Sequence, residues 1–228
     1  SPRTASAVSA LTELVRLRAG QAPPVVLSLE AVGQDGRQAA RGRWVVGFVV
    51  FELLMGFGIV ATSLVEERER GTMQAIRVTG VSPGAVLAGK GLAIWVLCLV
   101  AALAMVGLGG LLRPPLSGLL AVMFAGCGFS VALGLWMGVL FPNLAAANAG
   151  LPVIFLVVFV PSLLESQVRW AEWLSWMPGH WLTSGLEQAL VEARGLEAVW
   201  SAAVILSVYA MGCVAASWLV LRRGRWAG

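Results

Sequence analysis

Charge is what this sequence has least of: Asp, Glu, Lys and Arg make up only 12% of its 228 residues, about half their share in a soluble domain. So few charges cannot cover a water-soluble fold in which hydrophobic residues reach 58%, and the same apolar surplus rules out disorder. Histidine occurs once, as His180, which leaves no material for a histidine-based metal site. Cys98, Cys127 and Cys213 stand singly in apolar segments without metal or redox spacing, so they read as small core residues. The phosphate-binding pattern G-x-x-x-x-G-K-S/T does not occur, and no cofactor is expected in these residues. The net charge is +4, but the basic residues lie between apolar runs and form no dense patch. That distribution argues against nucleic acid and fits the orientation signals of a membrane protein. What is present is an all-α polytopic membrane protein with a mean hydropathy of +0.84.

A bilayer core about 30 Å thick requires roughly 20 apolar residues per helix. Trp44–Leu64 qualifies, with Glu52 its only charge, and so does Val86–Leu112, with Lys90 near its start. From Pro114 to Leu164 there is no Asp, Glu, Lys, Arg or His. That stretch suits two spans, Leu116–Leu140 and Ala145–Leu164, divided at Phe141-Pro142-Asn143. The last span is Ala198–Leu221, ended by Arg222, Arg223 and Arg225. The Gly134-x-x-x-Gly138 pair lets helix backbones approach closely and is read as packing within the bundle rather than as a dimer seam. Pro152 and Pro161 are expected to bend the fourth span.

Outside the spans, Ser1–Gly20 has the spacing of a short amphipathic helix, Val25–Val32 that of a strand, and Asp35-Gly36 that of a turn. Such a stretch buries little alone, so it is expected to be the end of a larger, N-terminally truncated water-exposed domain. The connection Val65–Gly89 mixes both signs at Glu66, Glu67, Arg68, Glu69 and Arg70, then offers Met73 and Ile76 as a small apolar face. By spacing alone the run reads as a solvated charged loop; a short helix outside the membrane is expected within the connection, with Ser82-Pro83 opening the next span as N-cap and first helical residue. In Glu165–Glu197, Trp170, Trp173, Leu174, Met177 and Trp181 fall on one helical face, Met177-Pro178-Gly179-His180 breaks the helix, and Ser184–Arg194 forms another. The tryptophans place this helical hairpin on, or dipping into, the outer leaflet.

Arg68, Arg70, Arg77, Lys90 and the three C-terminal arginines outnumber Arg113, Arg169 and Arg194 on the other face, which makes the first group cytoplasmic. Arg3, Arg16, Arg18, Arg37, Arg41 and Arg43 oppose that tally, and a truncated outside domain, exempt from the rule, resolves the conflict.

The run Ser63–Thr72 (SLVEERERGT), then Val78-Thr79-Gly80-Val81-Ser82, then Leu87-Ala88-Gly89-Lys90, resembles the permease subunits of ABC type-2 exporters. In that family a span runs into a Glu, two Glu-or-Arg positions, one free position and Gly-Thr; a turn and a lysine then open the next span. The resemblance covers Trp44 to the C-terminus and includes the Met177-Pro178 step; Gly80 departs from it, where many relatives have proline. It implies six spans with a variable outside domain between the first two. The five spans here would be the second to sixth, residues 1–43 the end of the extracytoplasmic domain, and residues 44–228 the permease domain. It further implies a cytoplasmic coupling helix in Glu66–Gly80 that docks on a separate ABC ATPase subunit, which binds the ATP. Glu66, Glu67, Arg68 and Arg70 would then supply polar contacts and Met73 and Ile76 packing, with Gly71 and Thr72 joining the two. A second permease chain, alike or different, would complete a prokaryotic cell-membrane exporter for a drug-like, lipid or polysaccharide substrate. Haem-exporter and lantibiotic-immunity permeases share these features.

Two other classes stand beside the exporter. A membrane anchor or scaffold needs no ATPase, so co-purification of one discriminates it. An intramembrane enzyme would use His180, Ser184 and Glu187, which needs a Ser–His hydrogen bond and a water path. Glu52, a carboxylate within a span, is expected to face the interior, either in the translocation path or bonded to a neighbouring helix.

Overall fold

The computed structural model describes residues 34–71, 82–112, 115–164 and 176–222, with the side chains of 34–40, 83 and 159–164 left aside. Regular structure among the described residues is all helical. The elements are α1 (Gln34–Glu69), α2 (Pro83–Leu108), α3 (Leu116–Leu140), α4 (Leu144–Leu164), α5 (Pro178–Leu190) and α6 (Leu196–Arg222). The expected N-terminal helix and strand, and the helix carrying Trp170, Trp173 and Leu174, lie outside the described residues. Contacts divide the chain into two compact units, Ser1–Arg37 and Gln38–Gly228, and the helix packing belongs to the second.

Among the described residues, four helices are long and apolar enough to cross a membrane, over Arg41–Glu69, Gly84–Leu108, Leu116–Leu140 and Leu196–Arg222; Leu144–Val158 within α4 is a shorter apolar helix. The expected break between the third and fourth spans is present: α3 ends at Leu140, and Asn143 caps α4 by accepting from the Ala146 N–H at 2.8 Å. Ser82 caps α2 in the same way, accepting from the Ala85 N–H at 3.2 Å, with Pro83 at the first helical position. α2 ends at Leu108 rather than Leu112, because Gly109 and Gly110 turn the chain, Gly110 with φ +67°.

Two expectations are corrected at α1. Asp35-Gly36 is no turn but part of the first helical turns, and the charged run is no loop, since the helix continues through it to Glu69. The resulting 36 residues reach about 54 Å at 1.5 Å per residue, well beyond the hydrocarbon thickness, so the charged end projects from the apolar zone. Termination comes from Gly71, whose φ of +70° is the left-handed conformation that glycine adopts without strain.

α3 is the axis of the bundle, buried along most of its length where α6 is largely exposed. It packs most extensively along α6, with α2 and α5 also against it. On the α1 side the Gly134–Gly138 pair makes the close approach: a Cβ on Gly134 would lie 2.5 Å from the Phe57 carbonyl oxygen, and one on Gly138 3.2 Å from the Ala61 Cα. The glycine pair therefore serves packing within the chain. Ser130, fully buried on α3, donates its hydroxyl to the Leu53 carbonyl of α1. The core gathers on these helices around Val49, Leu53, Phe57, Met123, Cys127 and Leu206.

α5 begins at Pro178, six positions before the expected Ser184, and stops at Leu190 rather than Arg194. It does not lie flat on a surface. Leu182 and Leu186 are fully buried; Leu182 reaches Gly126 of α3, and Gly185 abuts Val122 and Ala202. Trp176, just before α5, accepts a hydrogen bond at its carbonyl from Tyr209 in the middle of α6. From there α5 runs towards the end where Val191 meets Gly42 and where Arg194 and Gly195 meet Gly118. It is thus a half-length helix set into one half of the bundle.

Candidate functional site

The contacts sort the helix termini onto two ends. One end gathers the last turn of α1, the first turns of α2, the α3–α4 connection and the end of α6, where Trp218 faces Gly84 and carries Arg222 over its ring at 5.0 Å. This is the charged end. The opposite end gathers Arg41, Val45, Gly109, Gly118 and the α5–α6 connection.

At the charged end the run Glu66–Arg70 is organised by helical geometry. Successive helical residues point about 100° apart, so three in a row address three directions. Glu67 turns to α2, where Lys90 Nζ lies 2.6 Å from its carboxylate and 3.4 Å from the Ser63 carbonyl. Arg68 donates to the Phe141 carbonyl that follows α3. Glu69 accepts from the Leu144 N–H, the first residue of α4, at 2.9 Å. The signs fit the helix dipoles: a cation meets the carbonyl end of α3 and an anion the amide end of α4. Glu66 and Arg70, four apart, pair on the exposed side of α1 at 2.5 Å. Thr72, Met73 and Ile76 lie outside the described residues.

Of the residues expected to face a partner, Glu67 and Arg68 are therefore engaged within the chain, while the Glu66–Arg70 pair stays exposed. Glu69 and Lys90 belong to the same cluster, and reading the run as a loop hid the role of Glu69. The signal was available: alternating charges immediately before a glycine fit the last turn of a helix as well as they fit a solvated turn.

Glu52 lies midway along α1, one residue before Leu53, whose carbonyl takes the Ser130 hydroxyl. One turn on, Gly56 faces Cys98 Sγ and Ser130 Oγ, so this face of α1 looks onto α2 and α3. Glu52 is half-buried, and its Oε2 is shut off from the surface without a hydrogen-bond partner among the described residues. All three cysteines are buried and free. No cluster of three or more His, Cys, Asp or Glu suited to a metal occurs among the described residues.

At the other candidate set, His180 packs edge-on against Trp181 with ring centroids 5.2 Å apart. Ser184 directs its hydroxyl to the Trp181 carbonyl of its own helix at 3.5 Å.

A bundle of apolar helices, four of membrane-spanning length, with a knit charged end and a half-length helix at the other, defines a polytopic membrane protein. Residues 14–219 match the family described as ABC-2 family transporter protein, and the chain belongs to that family. It is therefore a transmembrane permease of an ABC transporter. No curated protein and no solved structure matches the chain.

Proposed function

We propose that the chain is the permease subunit of an ATP-driven exporter, moving a drug-like, lipid or polysaccharide substrate out of the cytoplasm of a prokaryotic cell. A separate ABC ATPase subunit binds and hydrolyses the ATP, and a second permease chain completes the path. The observation that carries this reading is the family match over residues 14–219. The charged end adds to it: Arg68, Arg70, Lys90 and Arg222 share one end of the bundle, as the cytoplasmic face of a permease requires. α1 leads through Gly71 into residues 72–81 and then into α2, so a partner grasping that connection pulls on two helices at once. Glu66 and Arg70 are placed to supply the polar part of that contact, with Met73 and Ile76 the packing part.

The test is affinity purification of the chain from its native membrane, followed by reconstitution with the ATPase subunit. The wild-type chain is expected to retain the ATPase, and Met73→Ser with Ile76→Ser to insert normally but lose most of the association and export. Full association and export in that double variant would remove the connection from coupling. A wild-type chain that recovers no ATPase would favour the anchor reading instead.

Glu52 is assigned to the translocation path on the same basis. A carboxylate placed in hydrocarbon is unfavourable by about 3 kcal/mol or more, and among the described residues one oxygen of this one has no partner. Glu52→Gln keeps the shape and removes the charge. Export of a cationic substrate is expected to fall about tenfold with unchanged ATPase association; unchanged export and stability would take Glu52 out of both the path and the packing.

A further inference from the structure

We infer that Glu67, Arg68 and Glu69 form a three-way clasp that locks the last turn of α1 to α2, α3 and α4, and that these residues position the helices for transport instead of contacting the ATPase. The inference rests on the exporter reading for its functional part, and on side-chain geometry for the clasp itself.

Three consecutive residues reach three different helices. Glu67 holds Lys90 across 23 positions of sequence at 2.6 Å, in a half-buried setting where both side chains are largely shielded (33% and 20% exposed). Shielding strengthens such a pair relative to an open surface ion pair. Arg68 and Glu69 bracket the Phe141-Pro142-Asn143 turn, one on each side, satisfying the carbonyl after α3 and the first amide of α4. Without them that turn would rely on the Asn143 cap and on the α3 closure from the Phe141 N–H to the Met137 carbonyl. The apolar contacts just inside the charged end run the same way, with Leu64 of α1 against Gly138 of α3. The end of α1 is therefore fastened to the first turns of α2 and to both sides of the α3–α4 turn.

The consequence is mechanical. Residues 72–81 follow in sequence on a turn that is fastened to three other helices. Displacement of that connection moves α1, α2 and the α3–α4 corner together, so a force applied there tilts four helices as a unit. A merely exposed charged run would pass the force to α1 and α2 through the backbone alone. Clasp residues are thus expected to separate ATP hydrolysis from export without weakening ATPase binding, the opposite of what is expected at Met73 and Ile76.

The experiment is a charge-swap cycle on Glu67 and Lys90, read in the reconstituted permease–ATPase complex and in the purified permease. E67K and K90E are each expected to keep wild-type ATPase association and at least half of the hydrolysis rate, while substrate exported per ATP falls tenfold or more. The swap E67K with K90E is expected to restore that ratio to within about threefold of wild type. Melting temperature of the purified permease in detergent is expected to follow the same cycle, lower in each single variant and recovered in the swap. R68Q with E69Q supplies an independent disruption of the α3–α4 contacts and is expected to lower the export-to-hydrolysis ratio as E67K does. Single variants with an unchanged ratio, a swap that rescues neither ratio nor melting, or loss of ATPase association in E67K would each overturn the clasp as a positioning device. Should the wild-type chain recover no ATPase at all, the exporter reading fails by itself; the clasp as a helix-fastening contact is then decided by the melting cycle, which stands on the permease alone.

Discussion

Gly134 shows how a single missing side chain fixes the spacing of two helices. A Cβ there would lie 2.5 Å from the Phe57 carbonyl oxygen and 2.7 Å from the Val60 Cβ, both on a helix that cannot yield locally. Gly47, on the same α1, meets nothing within 4 Å. Gly134→Ala is therefore expected to destabilise the bundle by about 1–3 kcal/mol through overpacking, whereas Gly47→Ala is expected to gain about 0.5–1 kcal/mol from the better helix former. Thermal unfolding of the two variants in detergent compares them directly, and equal melting temperatures would remove Gly134 as the spacer. At this scale the sequence was legible in part. A small-x-x-x-small pattern announces close helix packing, but the partner that Gly134 meets is a tertiary fact. Ser130 carries no such mark: nothing in the sequence sets it apart from Ser117 of the same run, and only the fold shows that the Leu53 carbonyl receives its hydroxyl.

At the scale of elements, apolar runs and their interruptions located the spans, because a membrane helix satisfies its backbone internally and needs only length and apolar side chains. The Pro142-Asn143 break and the Ser82-Pro83 start follow from local chemistry and appear where expected. What the sequence hid was decided by contacts between distant segments. Glu66–Glu69 reads as a solvated loop by charge density, yet it stays helical because Lys90, Phe141 and Leu144 satisfy it. α5 reads as interfacial because of Trp181 and the tryptophans that precede it in sequence, yet its Leu182–Leu186 face is enclosed by α3 and α6. Two substitutions separate an enclosed α5 from one lying at a surface. Leu182→Ala is expected to destabilise by about 2–5 kcal/mol, as for other fully enclosed leucines. Trp176→Ala is expected to change stability by less than about 0.5 kcal/mol, because that side chain is 80% exposed and Tyr209 bonds only to its backbone carbonyl. A small effect at Leu182 would return α5 to the interface.

Across the whole molecule, the outward faces of α2 and α6 are apolar along their length, with Leu92, Val96, Val100, Val208, Met211 and Trp218 all exposed. In water such a surface would aggregate; in a bilayer it is the ordinary boundary with lipid or with another permease chain. Orientation is then the remaining global quantity. The end holding Arg68, Arg70, Lys90 and Arg222 is expected to face the cytoplasm, which places the start of α1 outside and the C-terminus inside. In a Cys98→Ala, Cys127→Ala, Cys213→Ala background, Gln34→Cys and Gly228→Cys can each be probed with an impermeant thiol reagent. Intact cells are expected to label at position 34, and position 228 is expected to label only after the membrane is opened. The opposite pattern would put the clasp and residues 72–81 outside the cell, where no ATP-hydrolysing partner could reach them. It would therefore overturn the coupling assignment while leaving the clasp geometry and the helix packing untouched.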